Sequence, residues 1–191
     1  MELLKERIRK DGKIRGTEVL KVDSFLNHQM DVELFDAIGA EFKRRFADCE
    51  INKILTIEAS GIGIACLAAR HFHCPVVFAK KSQSRNISPD VYTAKVESFT
   101  HGKVYDVVVS KEYLNPGDKI LLIDDFLANG EALRGLAKLV RDSGAVLVGA
   151  GIVIEKAFQP GGDNLRGEGM RVESLARVSA MRETDGITFV D

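Results

Sequence analysis

Apolar residues recur along this chain in two rhythms, one at helical spacing and one in short unbroken runs. Residues 31–46 put Leu34, Ile38, Phe42 and Phe46 on one face and Lys and Arg opposite, which predicts an amphipathic helix. Residues 2–11 predict a shorter helix and 64–72 a largely apolar one. Leu133, Leu136, Ala137 and Val140 form another buried stripe, closed by Ser143-Gly144. Between the helices, the runs 53–57, 76–79, 104–110 and 119–123 predict strands. The run 147–154 is almost wholly apolar, as in a central parallel strand buried on both faces. Residues 171–178 and 187–190 predict edge strands. Asn115-Pro116-Gly117-Asp118 favours a type II turn before 119–123, because glycine accepts positive φ at the third position. Strands alternating with helices point to an α/β class. The expected architecture is a doubly wound, mostly parallel sheet flanked by helices, with ligands beyond the carboxyl ends of its strands.

The chemistry of those strand ends is uneven. The run 119–123 stops at two adjacent acids, Asp124 and Asp125, and a loop through Ala128, Asn129 and Gly130 opens the next helix. Carboxylates accept hydrogen bonds from sugar hydroxyls, and backbone N–H groups at a helix start receive a phosphate. The plainer reading leaves Asp125 as a helix cap. Glu58-Ala59-Ser60-Gly61 follows 53–57, either as an ordinary glycine-containing turn or as a second anion loop. Lys156 ends the central run, and Lys80-Lys81 ends 76–79. Either is a solvated cation or a ligand for a polar substrate. The polar stretch 82–103 is long for a connection in a compact domain. It reads as a lid that excludes water or, since Tyr92, Ala94 and Val96 alternate, as a β-ribbon.

Composition removes several function classes. A chain of 191 residues fits one domain, 1–191, with a sizeable core. A net charge of −1 provides no global basic field for nucleic acid or an acidic membrane. No apolar run approaches the roughly 18 residues that span a bilayer, and the charged N-terminus is unlike a signal peptide, so a cytoplasmic protein is expected. Cys49, Cys66 and Cys74 form no C-x-x-C or zinc-like cluster, and His28, His71, His73 and His101 show no metal-binding spacing. No metal site built from protein ligands alone is expected.

With these residues in view, Ile123-Asp124-Asp125-Phe126-Leu127-Ala128-Asn129-Gly130 resembles the phosphoribosyl pyrophosphate (PRPP) motif of type I phosphoribosyltransferases. Glu58 through Gly61 resembles the pyrophosphate loop of the adenine-type branch. The segments 19–29 and 153–161 resemble, in the same order, the bacterial xanthine branch, and the likeness runs over nearly the whole chain. Asn129 stands where the common motif has Thr or Ser, replacing a hydroxyl by an amide, and it too fits the xanthine branch. The resemblance implies a type I phosphoribosyltransferase fold with a small purine-binding hood, to which residues 1–30 contribute. It implies transfer of ribose 5-phosphate from PRPP to N9 of xanthine, giving XMP and pyrophosphate, in a homodimer. Mg2+ would be held mainly through PRPP and water. Asp124 and Asp125 would hold the ribose hydroxyls, and Ala128, Asn129, Gly130, Glu131 and Ala132 would cradle the 5-phosphate. Ser60, Gly61 and Lys81 would meet pyrophosphate, while Leu20, Asn27, Lys156 and Phe126 would bind the base. Guanine or hypoxanthine, which share the 6-oxo group, is an alternative substrate. A PRPP-binding regulator without catalysis is another, although such a repressor would need a nucleic-acid-binding element, against which the near-neutral charge and the lack of an added helix-turn-helix argue.

Overall fold

The computed structural model describes residues 1–81, 90–98 and 103–190. Helix α1 (Glu2–Asp11) leads into a small antiparallel pair, β1 (Lys13–Arg15) and β2 (Val19–Lys21), and a π-helical turn at Asp23–Asn27 follows. Helix α2 (Val32–Arg45) starts where the Asp31 carboxylate accepts the Leu34 N–H at 3.0 Å. It ends in Lys43, Arg44 and Arg45, cations placed where a helix exposes its carbonyls. Strand β3 (Lys53–Ile57), helix α3 (Ser60–Phe72) and strand β4 (Val76–Ala79) form the first parallel unit. An antiparallel ribbon, β5 (Val91–Ser98) and β6 (Lys103–Ser110), precedes β7 (Lys119–Leu127) and helix α4 (Glu131–Asp142). Strand β8 (Val146–Lys156), helix α5 (Gly161–Gly167), β9 (Val172–Arg182) and β10 (Gly186–Phe189) complete the chain.

Six strands make the main sheet in the order β10-β9-β8-β7-β3-β4, all parallel except β10 against β9. Its two faces carry separate apolar clusters. One joins α1, α2 and α3 to Leu121, Ile123 and Val153. The other joins α4 and the ribbon to Ile120, Leu122 and Ile152. Layers on both faces give the doubly wound α/β arrangement that the sequence predicts. The helical stripe of 31–46 works as expected, because Phe42 and Phe46 press on β8. Added side chains at Gly151 and Gly149 would come within 2.8 and 2.9 Å of those rings, which explains two glycines inside a central strand.

Strand β9, expected at an edge over 171–178, runs to Arg182 and lies inside the sheet because β10 pairs along its outer side. Two further boundaries differ in ways that bear on the site. Helix α3 begins at Ser60, ahead of the expected 64–72, because Gly61 and Gly63 hide its start. Both glycines are there for close approach: a Cβ on Gly61 would overlap Thr56 Oγ1, and one on Gly63 would lie 2.9 Å from Met30 Sδ. Strand β7 does not stop before the acids. It runs through Asp124 and Asp125 to Leu127, since β8 extends equally far and pairs Phe126 with Ile154 and Leu127 with Glu155. The Asn115–Asp118 turn forms as expected, with Gly117 at φ +92 and the Asp118 N–H donating to the Asn115 carbonyl at 3.1 Å. Of the stretch 82–103, residues 91–98 are ribbon; residues 82–89 and 99–102, His101 among them, lie outside the described residues, and so does the lid reading.

Candidate active site

Asp124 and Asp125 sit near the carboxyl end of β7, only 5% and 9% exposed. The Asp125 N–H donates to Asp124 Oδ1 at 2.9 Å. Burial, and then the neighbouring Asp125 charge, hold the Asp124 carboxyl well above the usual carboxylate range, while Lys81 pulls it the other way. From the small β1–β2 unit, Asn27 Nδ2 donates to Asp125 Oδ2 at 3.3 Å. From the other side the α3 start closes in, since a Cβ on Gly61 would lie 3.4 Å from Asp124 Oδ1. The β3–α3 turn is tied to the end of β4, because the Lys81 N–H donates to Glu58 Oε1 at 2.6 Å. The Glu58–Ala59 peptide is cis. Of the two adjacent lysines, Lys80 turns its ammonium over Phe78, 5.9 Å from the ring centroid, and Lys81 is the one in electrostatic reach of Asp124.

Beyond β7 the loop turns at Gly130, with φ +88, and α4 starts at Glu131. Gly130, not Asp125, occupies the cap position and brings no side chain to it, so the capping reading of Asp125 is set aside. The first-turn N–H groups of α4 are therefore free of a side-chain cap, as an anion site at a helix start requires. Glu131 Oε1 lies 3.7 Å from Arg134 Nε along the helix. A cleft of about 450 Å³ opens over this loop, bounded by Phe126, Leu127, Ala128 through Leu133, Lys156 and Gln159, with Glu18 and Val19 across it and Tyr105 and Glu97 from the ribbon. Asn27, Ser60, Gly61, Lys81 and the two aspartates lie outside that lining. Lys156 Nζ donates to the Glu18 carbonyl at 2.7 Å and lies 5.9 Å from the Phe126 ring centroid. Burial draws the Lys156 pKa below its ordinary value, against the Glu18 charge. Leu20 packs its side chain into the first apolar cluster, while its neighbours Glu18 and Val19 reach the cleft.

A cleft beside two strand-end acids and an uncapped helix start suits a sugar phosphate without specifying a reaction, so comparison with known proteins decides the family. The family model described as "Phosphoribosyl transferase domain" matches residues 22–164. The chain belongs to the phosphoribosyltransferase family. A xanthine phosphoribosyltransferase of Lachnoclostridium phytofermentans is 62% identical over 97% of this chain and 96% of its own length. Another, of Ruminiclostridium cellulolyticum, is 59% identical over the full length of both. Among solved structures, adenine phosphoribosyltransferase of Rhodothermus marinus superposes with a TM-score of 0.73 at 19% identity, over 91% of this chain and 98% of that one. The Saccharomyces cerevisiae adenine phosphoribosyltransferase does so equally, at 0.73 and 19%, over 92% and 99%. These structures establish the type I phosphoribosyltransferase fold.

Three residues of this phosphoribosyltransferase site escaped the sequence reading. Tyr105 pairs across the ribbon with Val96, so it continues the inward face of Ala94, Val96 and Val107 past the end of α4 and into the cleft. Its ring lies 5.6 Å from Lys81 Nζ, and burial followed by the Asp124 charge raises its phenol pKa. The alternation at 104–110 was the available signal, but which face meets the site depends on the ribbon's placement. Glu18 meets Lys156 through its backbone carbonyl, which side-chain chemistry cannot reveal. Gln159 reaches the cleft because its N–H donates to the Lys156 carbonyl at 2.9 Å, folding the chain back after β8.

Proposed function

We propose that this chain transfers ribose 5-phosphate from PRPP to N9 of xanthine, releasing pyrophosphate and forming XMP. The observation that carries the reading is the order of the strand ends. Along the carboxyl edge of the sheet come β8 with Lys156, β7 with Asp124 and Asp125, β3 leading to Ser60 and Gly61, and β4 leading to Lys81. That succession of base donor, ribose acceptors and pyrophosphate contacts matches the order of groups along the reacting pair: purine, ribose, pyrophosphate. The 5-phosphate then falls to the backbone N–H groups from Ala128 to Ala132, at the uncapped start of α4.

In the reaction the C1–oxygen bond to pyrophosphate breaks, the N9–C1 bond forms and the N9 proton passes to the departing pyrophosphate or to water. Positive charge develops at C1 as pyrophosphate leaves, so catalysis rests on positioning and on charge placed nearby. Asp124 and Asp125 hold the ribose hydroxyls and bring negative charge to that face. Lys81, with the Ser60 and Gly61 backbone, receives the charge of the leaving group. Lys156 donates to O6 of the base, Asn27 donates from the opposite edge, and Phe126 stacks on the ring. Leu20 contributes backbone polar groups. The acids present only hard oxygen donors, which suits Mg2+. The ion would be held by Asp124 and Asp125 through water and by pyrophosphate oxygens, and it supplies neutralising charge to the leaving group. The same reading makes the enzyme a cytoplasmic homodimer, whose mass light scattering measures.

The test is pyrophosphate release on mixing protein, PRPP and Mg2+ with single purines. Turnover with xanthine well above guanine, hypoxanthine and adenine is expected. Preference for another purine would overturn the substrate, and PRPP binding without turnover for any base would make the chain a regulator.

A further inference from the structure

Glu155 is the most deeply buried acid in the neighbourhood, 1% exposed, and nothing in the transfer chemistry uses it. It follows the central apolar run of β8 and directly precedes Lys156. Arg166 of α5 grips it in two-point fashion, Nη1 donating to Oε1 at 2.8 Å and Nη2 to Oε2 at 2.6 Å. The remaining Arg166 donors are also placed: Nε donates to the Val172 carbonyl at 3.3 Å, and Nη2 reaches Ser174 Oγ at 3.4 Å. A second guanidinium, Arg177, brings Nε to 3.3 Å from Glu155 Oε2. The exposed Asp163 lies 3.8 Å from Arg166 Nη1 and 3.6 Å from Arg177 Nη2. Several oriented bonds thus fix a helix of 7 residues to the strands β8 and β9.

What α5 does with that anchorage is visible at its first two residues. A Cβ on Gly162 would overlap Glu155 Oε1 and lie 2.8 Å from Arg166 Nη1. A Cβ on Gly161 would overlap the Ala128 carbonyl oxygen and fall 2.5 Å from Asn129 C and 2.7 Å from Gly130 N. The glycine pair is therefore held between the Glu155 carboxylate on one side and the backbone of the Ala128–Gly130 loop on the other. Leu165 completes the support, since a Cβ on Gly130 would lie 3.0 Å from Leu165 Cδ1. Backbone N–H groups select an anion only when the peptide planes are fixed before it arrives.

We infer that Glu155 and Arg166 are positioning residues for the 5-phosphate, setting the Ala128–Gly130 loop through the Gly161-Gly162 turn of α5. This rests on the assignment of that loop to the 5-phosphate. Removing either charge frees α5 to shift and blurs the loop. The base contact at Lys156 is held separately by the β8 backbone and the Glu18 carbonyl. A merely structural ion pair would weaken the fold without singling out one substrate.

The experiment compares Glu155→Gln, Arg166→Lys and Gly161→Ala with Leu175→Ala, a cavity variant in the first apolar cluster, whereas Leu165 of α5 packs in the second. Tm, Kd for PRPP by calorimetry without base, and KM for each substrate are measured. Each of the three variants is expected to raise the PRPP Kd and KM by about tenfold or more, with xanthine KM held within about twofold. Leu175→Ala is expected to lower Tm with both KM values unchanged. Arg166→Lys keeps one charged contact and is expected to show the smallest rise, and as a mild substitution it keeps the test open if Gly161→Ala does not fold. Equal shifts in both KM values, or lost Tm with unchanged PRPP binding, would overturn the inference. Calorimetry without base separates it from the substrate question: failure of xanthine turnover in the parent chain leaves the PRPP comparison intact, whereas a parent that binds no PRPP removes the underlying assignment itself.

Discussion

Lys156 holds a donor bond to the Glu18 carbonyl across the cleft, and burial already draws its pKa below the ordinary lysine value. A xanthine O6 that takes up one of the three ammonium hydrogens therefore meets a donor already partly stripped of water. Hydrogen bonds to charged groups contribute about 1.5–3 kcal/mol. Lys156→Ala is accordingly expected to raise xanthine KM on the order of 10- to 100-fold while PRPP KM moves by less than about threefold, as steady-state kinetics measure; equal changes in both would remove Lys156 from the base site. Asp124 presents the opposite case, a charge the fold resists. Its pKa in the folded chain lies above the ordinary 3.8, so protonation stabilises the fold below 3.8, and that stability is lost as pH rises through the elevated value. Asp124→Asn has no such proton to lose. Thermal scans across pH should find the variant gaining Tm over the parent as pH climbs from 3.8, with kcat reduced on the order of 100-fold. A constant Tm difference across the series would show that Asp124 does not titrate with folding.

At the level of elements, the ribbon shows how far sequence reasoning reaches. Tyr92, Ala94 and Val96 announce alternation, and Gly135 gives no hint of its purpose. In the fold, a Cβ on Gly135 would overlap Val96 Cγ2 and lie 3.7 Å from Val107 Cγ2. The glycine lets the ribbon settle on α4, and that seat delivers Tyr105 to the cleft. Gly135→Ala is expected to cost about 1–3 kcal/mol by overpacking, read by urea unfolding, and to raise PRPP KM as the ribbon lifts. An unchanged PRPP KM beside lost stability would detach the ribbon from the site. The α2 stripe, the central run of β8 and the paired acids were all legible, because apolar period and clustered charge are local properties of a chain. The extension of β7 past its acids was not, since it depends on a parallel partner more than 20 residues away in sequence. The α3 start was hidden by glycines whose value lies in what approaches them. By residue chemistry alone Lys80 and Lys81 were alike, and only the family resemblance singled out Lys81; in the fold Lys80 pairs with Val108 and turns over Phe78.

For the molecule as a whole, the unit formed by β1, β2 and the Asp23–Asn27 turn meets the sheet edge through the Asn27–Asp125 hydrogen bond, long at 3.3 Å. Asn27 thereby stands between the two halves of the site. Its amide nitrogen serves Asp125, its Oδ1 is buried without a partner among the described residues, and the same amide is assigned to the base. The amide carries two hydrogens, so one can stay on Asp125 while the other reaches the base. But a ribose hydroxyl that takes the Oδ2 position displaces the long bond and frees the amide to turn wholly toward the purine. Occupation of the ribose half then favours occupation of the base half, and linkage makes the effect reciprocal. The bond exchanged is a single weak one, contributing about 0.5–1.5 kcal/mol, so the coupling is about 2- to 10-fold. Ribose 5-phosphate tests this without turnover, because it carries the hydroxyls and the phosphate but no leaving group. Xanthine titrated calorimetrically with saturating ribose 5-phosphate is expected to bind tighter by that factor, and ribose 5-phosphate to gain equally from xanthine. Asn27→Ala is expected to bind xanthine more weakly and to bring the coupling factor to about one. Coupling that survives in Asn27→Ala would place the link between the two halves elsewhere, and its absence in the parent chain would mean that Asp125 and Asn27 serve their substrates independently.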